Sequence, residues 1–175
     1  VIKMMRIILF ISIFVAQVFS ETFPTALGEC ALEIYGGRVD DIPEIVQLIK
    51  DESVTLVDEL GEVNIRSYSV YITSNMEDFY EKSKGPVPEW GIALAKLNPD
   101  RAILKSPGLA NISFIRMKEV IAHELNHIYM FRIPNYYTMP SWFKEGMAMA
   151  GSNEFSLLHK IEISKAHWRK QTIPL

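Results

Sequence analysis

The spacing of apolar residues changes along the chain, and each change marks an element. Residues 30–35 read as a short strand ended by Gly36-Gly37. Asp41-Ile42-Pro43-Glu44 is a helix start, with acid and proline in the first turn. Apolar residues follow at Ile45, Val46, Leu48, Ile49, Leu56, Val57 and Leu60, and Gly61 supplies a stop. That spacing predicts an amphipathic helix of about five turns. Tyr68, Val70 and Ile72 alternate with polar neighbours, the pattern of a half-buried strand. Ser74 and Asn75 can cap a helix carrying Met76, Phe79 and Tyr80, and Gly85-Pro86-Val87-Pro88 is a loop. Residues 91–95 and 102–105 are short strands around a turn at Asn98-Pro99-Asp100, and Pro107-Gly108 closes the unit. From Ser113 onward the pattern turns helical, with helices expected over about 114–131, 141–150 and 153–170. Strands and one long helix come first and helices dominate the end, an order that predicts an α+β fold.

The first twenty residues follow a different rule. Lys3 and Arg6 precede an almost wholly apolar run over residues 7–16, and Val18 and Ser20 are small enough to flank a cut after Ser20. The run is short for a bilayer span and right for a secretory signal peptide. Residues 1–20 are therefore expected to be a leader, and residues 21–175 a single domain exported from the cytoplasm, either secreted or periplasmic. The competing reading of the same run is an uncleaved anchor.

Composition narrows the class. With 175 residues, 49% hydrophobic, 22% charged and one cysteine, the chain can bury a core and is neither disordered, collagen-like nor a disulfide scaffold. Losing Lys3 and Arg6 would leave 16 basic against 21 acidic residues, a balance of −5. No basic arm is present, so neither nucleic acid nor, after leader cleavage, a membrane surface is an expected partner. Cys30 has no second cysteine to bridge and reads as a buried thiol in a strand.

The chemistry gathers at His123-Glu124-Leu125-Asn126-His127, an H-E-x-x-H run inside a helical pattern. Residues four apart project from one helix face, so two imidazoles can bind one Zn²⁺. Glu124 falls beside the metal, where a carboxylate can take a proton from zinc-bound water and later return it to a leaving amine. Met117, Val120, Ile121, Leu125 and Ile128 form an apolar stripe along the same helix. A carboxylate within or beside that stripe is costly unless a metal, a partner or a water-filled cleft offsets its burial.

Such a site needs a third protein ligand and leaves a fourth position for water. Met130 and Ile133 stand where a metzincin would carry glycine and histidine, which excludes that class. Further on lies Pro140-Ser141-Trp142-Phe143-Lys144-Glu145-Gly146-Met147-Ala148, with seventeen residues separating His127 from Glu145. Residues 132–139 can turn the chain, so a second helix could fold back and bring Glu145 to the metal. Gly146 and Ala148 are small enough to permit close helix approach.

Residues 120–127 followed by Pro140-x-Trp142-Phe143-x-Glu145-Gly146-x-Ala148 resemble the gluzincin metallopeptidases. The likeness is nearest to the peptidase MA-like group and more distant to aminopeptidase N and thermolysin. It implies a zincin-like catalytic domain with a small mixed sheet, in which His123, His127 and Glu145 hold one Zn²⁺ and Glu124 is the general base. It also implies that an edge strand, matched by Gly91, Ile92, Ala93 and Leu94, pairs with an extended peptide or protein substrate. An ordinary core strand is the equal alternative there.

The match departs from the family in three places. Met149 stands where thermolysin-like enzymes carry a carboxylate that orients a histidine, so Glu119, Glu154 or backbone would have to serve. The family's oxyanion-stabilising Tyr or His comes well after the third ligand, whereas this chain stops thirty residues past Glu145. Tyr136, Tyr137, His159 and His167 are candidates by residue type. The element that reads a free amino terminus in aminopeptidases has no glutamate at Leu94-Ala95-Lys96, which tilts the expectation to endopeptidase. The leading reading is thus a zinc metallopeptidase that hydrolyses peptide bonds. Its rivals are a non-catalytic, zinc-stabilised peptide-binding domain or inactive fragment, and a membrane-tethered interaction protein without metal.

Overall fold

The computed structural model describes residues 18–36, 42–84, 87 and 91–152, which hold five strands and five α-helices. Most of the expected leader, Gly37, Asp41, the loop residues Gly85, Pro86 and Pro88, and the helix expected over 153–170 with Glu154, His159 and His167 lie outside the described residues.

The strands form one mixed sheet in the order β1-β2-β3-β5-β4. β1 (Val18–Thr25) and β2 (Gly28–Tyr35) make an antiparallel hairpin. Its turn requires Gly28, whose φ is +136° and where a Cβ would lie 2.4 Å from the Ile65 carbonyl oxygen. A parallel partner needs a crossover, and α1 (Ile42–Leu60) supplies it, leading into β3 (Ser67–Thr73) with Val70 opposite Leu32. Next comes α2 (Met76–Ser83), started by Asn75, whose side chain accepts from the Glu77 N–H at 2.7 Å. β4 (Ala93–Lys96) and β5 (Arg101–Lys105) are antiparallel, and β5 inserts beside β3 with Ala102 opposite Val70. That leaves β4 at the sheet's margin. The short α3 (Pro107–Ala110), then α4 (Phe114–Met130) and α5 (Ser141–Gly151), complete the order.

Period-two alternation divides β3 between two cores. Tyr68, Val70 and Ile72 join Cys30, Leu32, Ile34 and Leu104 on one face, against Ile45, Ile49 and Leu56 of α1 and Met117, Ile121, Leu125 and Ile128 of α4. Each such side chain contributes roughly 1.5–3 kcal/mol by leaving water. On the other face Tyr71 and Ile103 meet Phe79 of α2.

The direction of α4 follows from its two ends. The Lys105 N–H donates to the Ile92 carbonyl at 2.9 Å, so the start of β4 sits at the end of β5, from which α3 leads into α4. At the far end, Arg132 ion-pairs with Asp100 at the head of β5. α4 therefore runs antiparallel to β5 and in the same direction as β4.

Cys30 lies buried in β2 with a free thiol, as expected, and burial pushes that thiol up to about 12, which makes it inert at neutral pH. The apolar spacing did not predict β1. Pro24 and the polar Ser20, Glu21 and Thr22 mask its pattern, yet a marginal strand tolerates proline because only one side must pair. β1 also crosses the cut expected after Ser20, since Val18, Phe19 and Ser20 lie opposite Tyr35, Ile34 and Glu33. Among the described residues, no helix is long and apolar enough to cross a membrane.

Candidate metal centre

The site begins with α4. Ser113 caps it by accepting from the Arg116 N–H at 3.1 Å, and no proline or glycine interrupts the chain until Pro134. The four-residue spacing then sets the Nε2 atoms of His123 and His127 3.1 Å apart. Glu124 is buried on the same helix and lines the same cleft. The apolar stripe expected along α4 is buried throughout.

The chain reverses through a 3₁₀ turn over Tyr136–Thr138, aided by Asn135 in the left-handed region at φ +65°. Pro140 then opens α5, its carbonyl accepting from the Phe143 and Lys144 N–H groups. α5 returns along α4, and two small residues allow the approach. Ala148 is fully buried. Gly151 lies so near Asn126 that an added Cβ would come within 2.3 Å of Oδ1. Asn126 is itself buried, donating from Nδ2 to the Ala122 carbonyl at 2.9 Å and, more weakly, to Glu52 of α1 at 3.4 Å. The expectation that Gly146 permits this contact is corrected: a Cβ there would meet nothing within 4 Å, because Gly146 faces away from α4.

The fold-back brings Glu145 to the histidine pair. Glu145 Oε2 stands 3.5 Å from His123 Nε2 and 3.6 Å from His127 Nε2, and the three residues form a set able to hold a metal ion. A hydrogen bond between the two rings would explain the 3.1 Å edge alone. The edges to Glu145 exceed hydrogen-bond length, which for N–H···O is about 2.7–3.2 Å. All three are close to the separation of about 3.3–3.4 Å between ligand atoms held tetrahedrally at about 2.0–2.1 Å from zinc. The donor set therefore fits a zinc ion. Burial, reinforced by the neighbouring His123, lowers the His127 pKa against the opposing pull of Glu145. That favours the neutral imidazole, whose ring nitrogen has a lone pair to give.

A cleft of about 520 Å³ opens over this triangle. One wall is the strand margin at Gly91, Ile92, Ala93, Leu94 and Ala95; the other carries Arg116, Val120 and Phe131, with Tyr136 and Glu145 at the far side. Among the described residues no strand pairs with the outer side of β4. Gly91 and Ile92 precede β4, which starts two residues later than the apolar run suggested. Of the oxyanion candidates, Tyr136 lines the cleft and Tyr137 is 77% exposed. Burial, then the charge of Glu145, raises the Tyr136 pKa and keeps its hydroxyl a donor. Glu119, considered as a partner for a histidine, is engaged by Arg116 at 2.8 Å.

Arg116 and Asn126 were not singled out in the sequence. Arg116 could have been, since it lies seven residues before His123 and so on the same helix face. Asn126 gave no signal, because its role depends on which residue of α5 meets it. Comparison with family models, with curated proteins and with solved structures finds no match to this chain.

Proposed function

We propose that the chain is a zinc-dependent peptidase with a zincin-like catalytic domain. The observation that carries the reading is the triangle of His123, His127 and Glu145, with edges of 3.1, 3.5 and 3.6 Å. These residues would hold one Zn²⁺. When bound there, the ion supplies Lewis acidity, polarising a carbonyl oxygen and making water easier to deprotonate.

The remaining roles belong to the chain. The Glu124 carboxylate, one residue on from His123, takes the proton of the attacking water and returns it to the leaving nitrogen. Tyr136, with its hydroxyl protonated, donates to the oxygen on which charge develops. The outer side of β4 offers backbone N–H and C=O groups to an extended peptide. Glu124 and Glu145 are the acids lining the cleft among the described residues, and both already have roles. The Leu94-Ala95-Lys96 stretch offers no glutamate to read a substrate's amino terminus, which favours endopeptidase over aminopeptidase action. The substrate is a peptide or protein, and the leader-like residues 1–20 support action outside the cytoplasm.

The test is metal content and peptide cleavage on the full chain beside Glu124→Gln and His127→Ala. The expected result is about one zinc per chain, lost in His127→Ala, and cleavage that falls by about 10²–10⁴ in Glu124→Gln with zinc retained. Full zinc with no cleavage of a broad peptide library would favour a peptide-binding domain. Folded protein that takes up no zinc would overturn the reading.

A further inference from the structure

We infer that Arg116 reads a carboxylate on the substrate, three or four residues to the C-terminal side of the scissile bond. The inference rests on the peptidase reading of the cleft and adds a substrate class to it.

Arg116 is the one Lys or Arg side chain lining the cleft among the described residues. It precedes His123 by seven residues, two turns along the same face of α4, which places it roughly 10 Å from that histidine. Because α4 and β4 run in the same direction, Arg116 lies towards the Gly91–Ile92 end of the strand wall. Phe131, at the close of α4, lies towards the opposite end.

A peptide added antiparallel to the outer side of β4, the more stable pairing, runs from the Lys96 end to the Gly91 end. Its C-terminal half therefore passes Arg116. At about 3.3 Å per extended residue, 10 Å is three residues, and the reach of the arginine side chain extends this to four.

The guanidinium is suited to the task. Its Nη1 is 2.8 Å from Glu119 Oε2, and the two side chains are 41% and 35% exposed. A partly exposed pair of that kind adds only modestly to stability and leaves the guanidinium within reach of a carboxylate in the cleft. Five N–H donors in a planar fork also let arginine hold two carboxylates at once. The partner is an acidic side chain or the carboxylate at the end of a short substrate.

The test uses the full chain carrying Glu124→Gln, so that peptides survive, and fluorescently labelled nonapeptides followed by anisotropy with and without added zinc. One series is amidated, with a single Glu moved along an otherwise neutral sequence and Gln at the same place as control. The second compares free and amidated C-termini on neutral peptides of decreasing length. A carboxylate in register should tighten binding about tenfold. That ratio should fall towards one in Arg116→Ala, survive in part in Arg116→Lys, and turn in favour of lysine-bearing peptides in Arg116→Glu.

Preference in the first series alone identifies an acidic side chain, and in the second alone a chain terminus. A preference that persists in Arg116→Ala, no preference for any carboxylate, or no binding of any peptide would overturn the inference. An Arg116-dependent preference in a protein whose Glu124 form cuts nothing would remove the peptidase reading and leave the carboxylate subsite standing. Cleavage with no preference would do the reverse.

Discussion

α4 and α5 each carry part of the same site, yet they are held by very different amounts of structure. α4 sets Met117, Val120, Ile121, Leu125 and Ile128 into the core and touches α1, β4, β5 and α5. Among the described residues, α5 buries Ala148 alone of its side chains and rests chiefly on α4, while Trp142 is 61% exposed. The histidines are thus 14% and 12% exposed, and Glu145 is 58% exposed. One helix presents its two histidines ready-made. The other brings Glu145 to them on a side chain open to solvent, which in the zinc reading a bound ion would have to order. Such an arrangement separates the cost of building the site from the cost of closing it.

Removing ligands would test this division most sharply. His127→Ala breaks the prearranged pair and should weaken zinc binding about 10²–10³-fold, given a zinc free energy of about 10–16 kcal/mol shared among some four ligands. Glu145→Ala leaves the pair intact on a rigid helix and should lose about tenfold less. Competition with a chromophoric chelator reads both. Equal losses would mean that α5 is as firmly held as α4.

Stability should divide in the same way. Leu125 is fully buried between the two histidines in sequence, and Leu125→Ala should cost about 2–5 kcal/mol in urea unfolding. Phe143 on α5 is 39% exposed, and Phe143→Ala should cost less than about 1.5 kcal/mol, a part of one side chain's transfer from water. A Phe143 cost equal to that of Leu125 would reveal apolar contacts of α5 with segments outside the described residues.

The same contrast explains what could be read in the sequence. α4 was legible because what marks it is local: an apolar stripe at helical spacing and two histidines one turn apart. The strand at Tyr68, Val70 and Ile72 was legible for the same reason, since alternation is a property of neighbours. Glu145 was reachable only by asking for a third ligand at a distance the loop could span. The contact that brings it home was assigned to Gly146 and Ala148, and belongs to Ala148 and Gly151. Both glycines lie on one helix, and which of them faces α4 depends on how α5 is rotated, a tertiary fact without local signature. β1 escaped notice because a marginal strand pairs on one side and can carry Pro24. The order of β4 and β5 was equally hidden, since it depends on which strand inserts beside β3. That order is what leaves β4 lining the cleft.

The two glycines supply the finest version of the comparison. Gly146→Ala adds a Cβ that meets nothing, and in a helix interior alanine is favoured over glycine by about 1 kcal/mol, so this variant should gain stability and leave zinc affinity within about twofold. Gly151→Ala drives a Cβ into the Asn126 amide, which is buried and held by the Ala122 carbonyl. The amide must turn or α5 must move out, at a cost of about 1–3 kcal/mol. If α5 moves, Glu145 moves with it while the histidines stay, and zinc affinity should fall about tenfold, as when a group supporting a metal ligand is lost. Adding Asn126→Ala makes room for the new methyl, so the double variant should recover most of the lost zinc affinity, a coupling that a cycle of the four proteins isolates. Recovery of affinity without recovery of stability would locate the role of Gly151 in placing Glu145 rather than in holding the fold. Failure to recover either would mean that the end of α5 tolerates alanine only at the expense of contacts other than the one with Asn126.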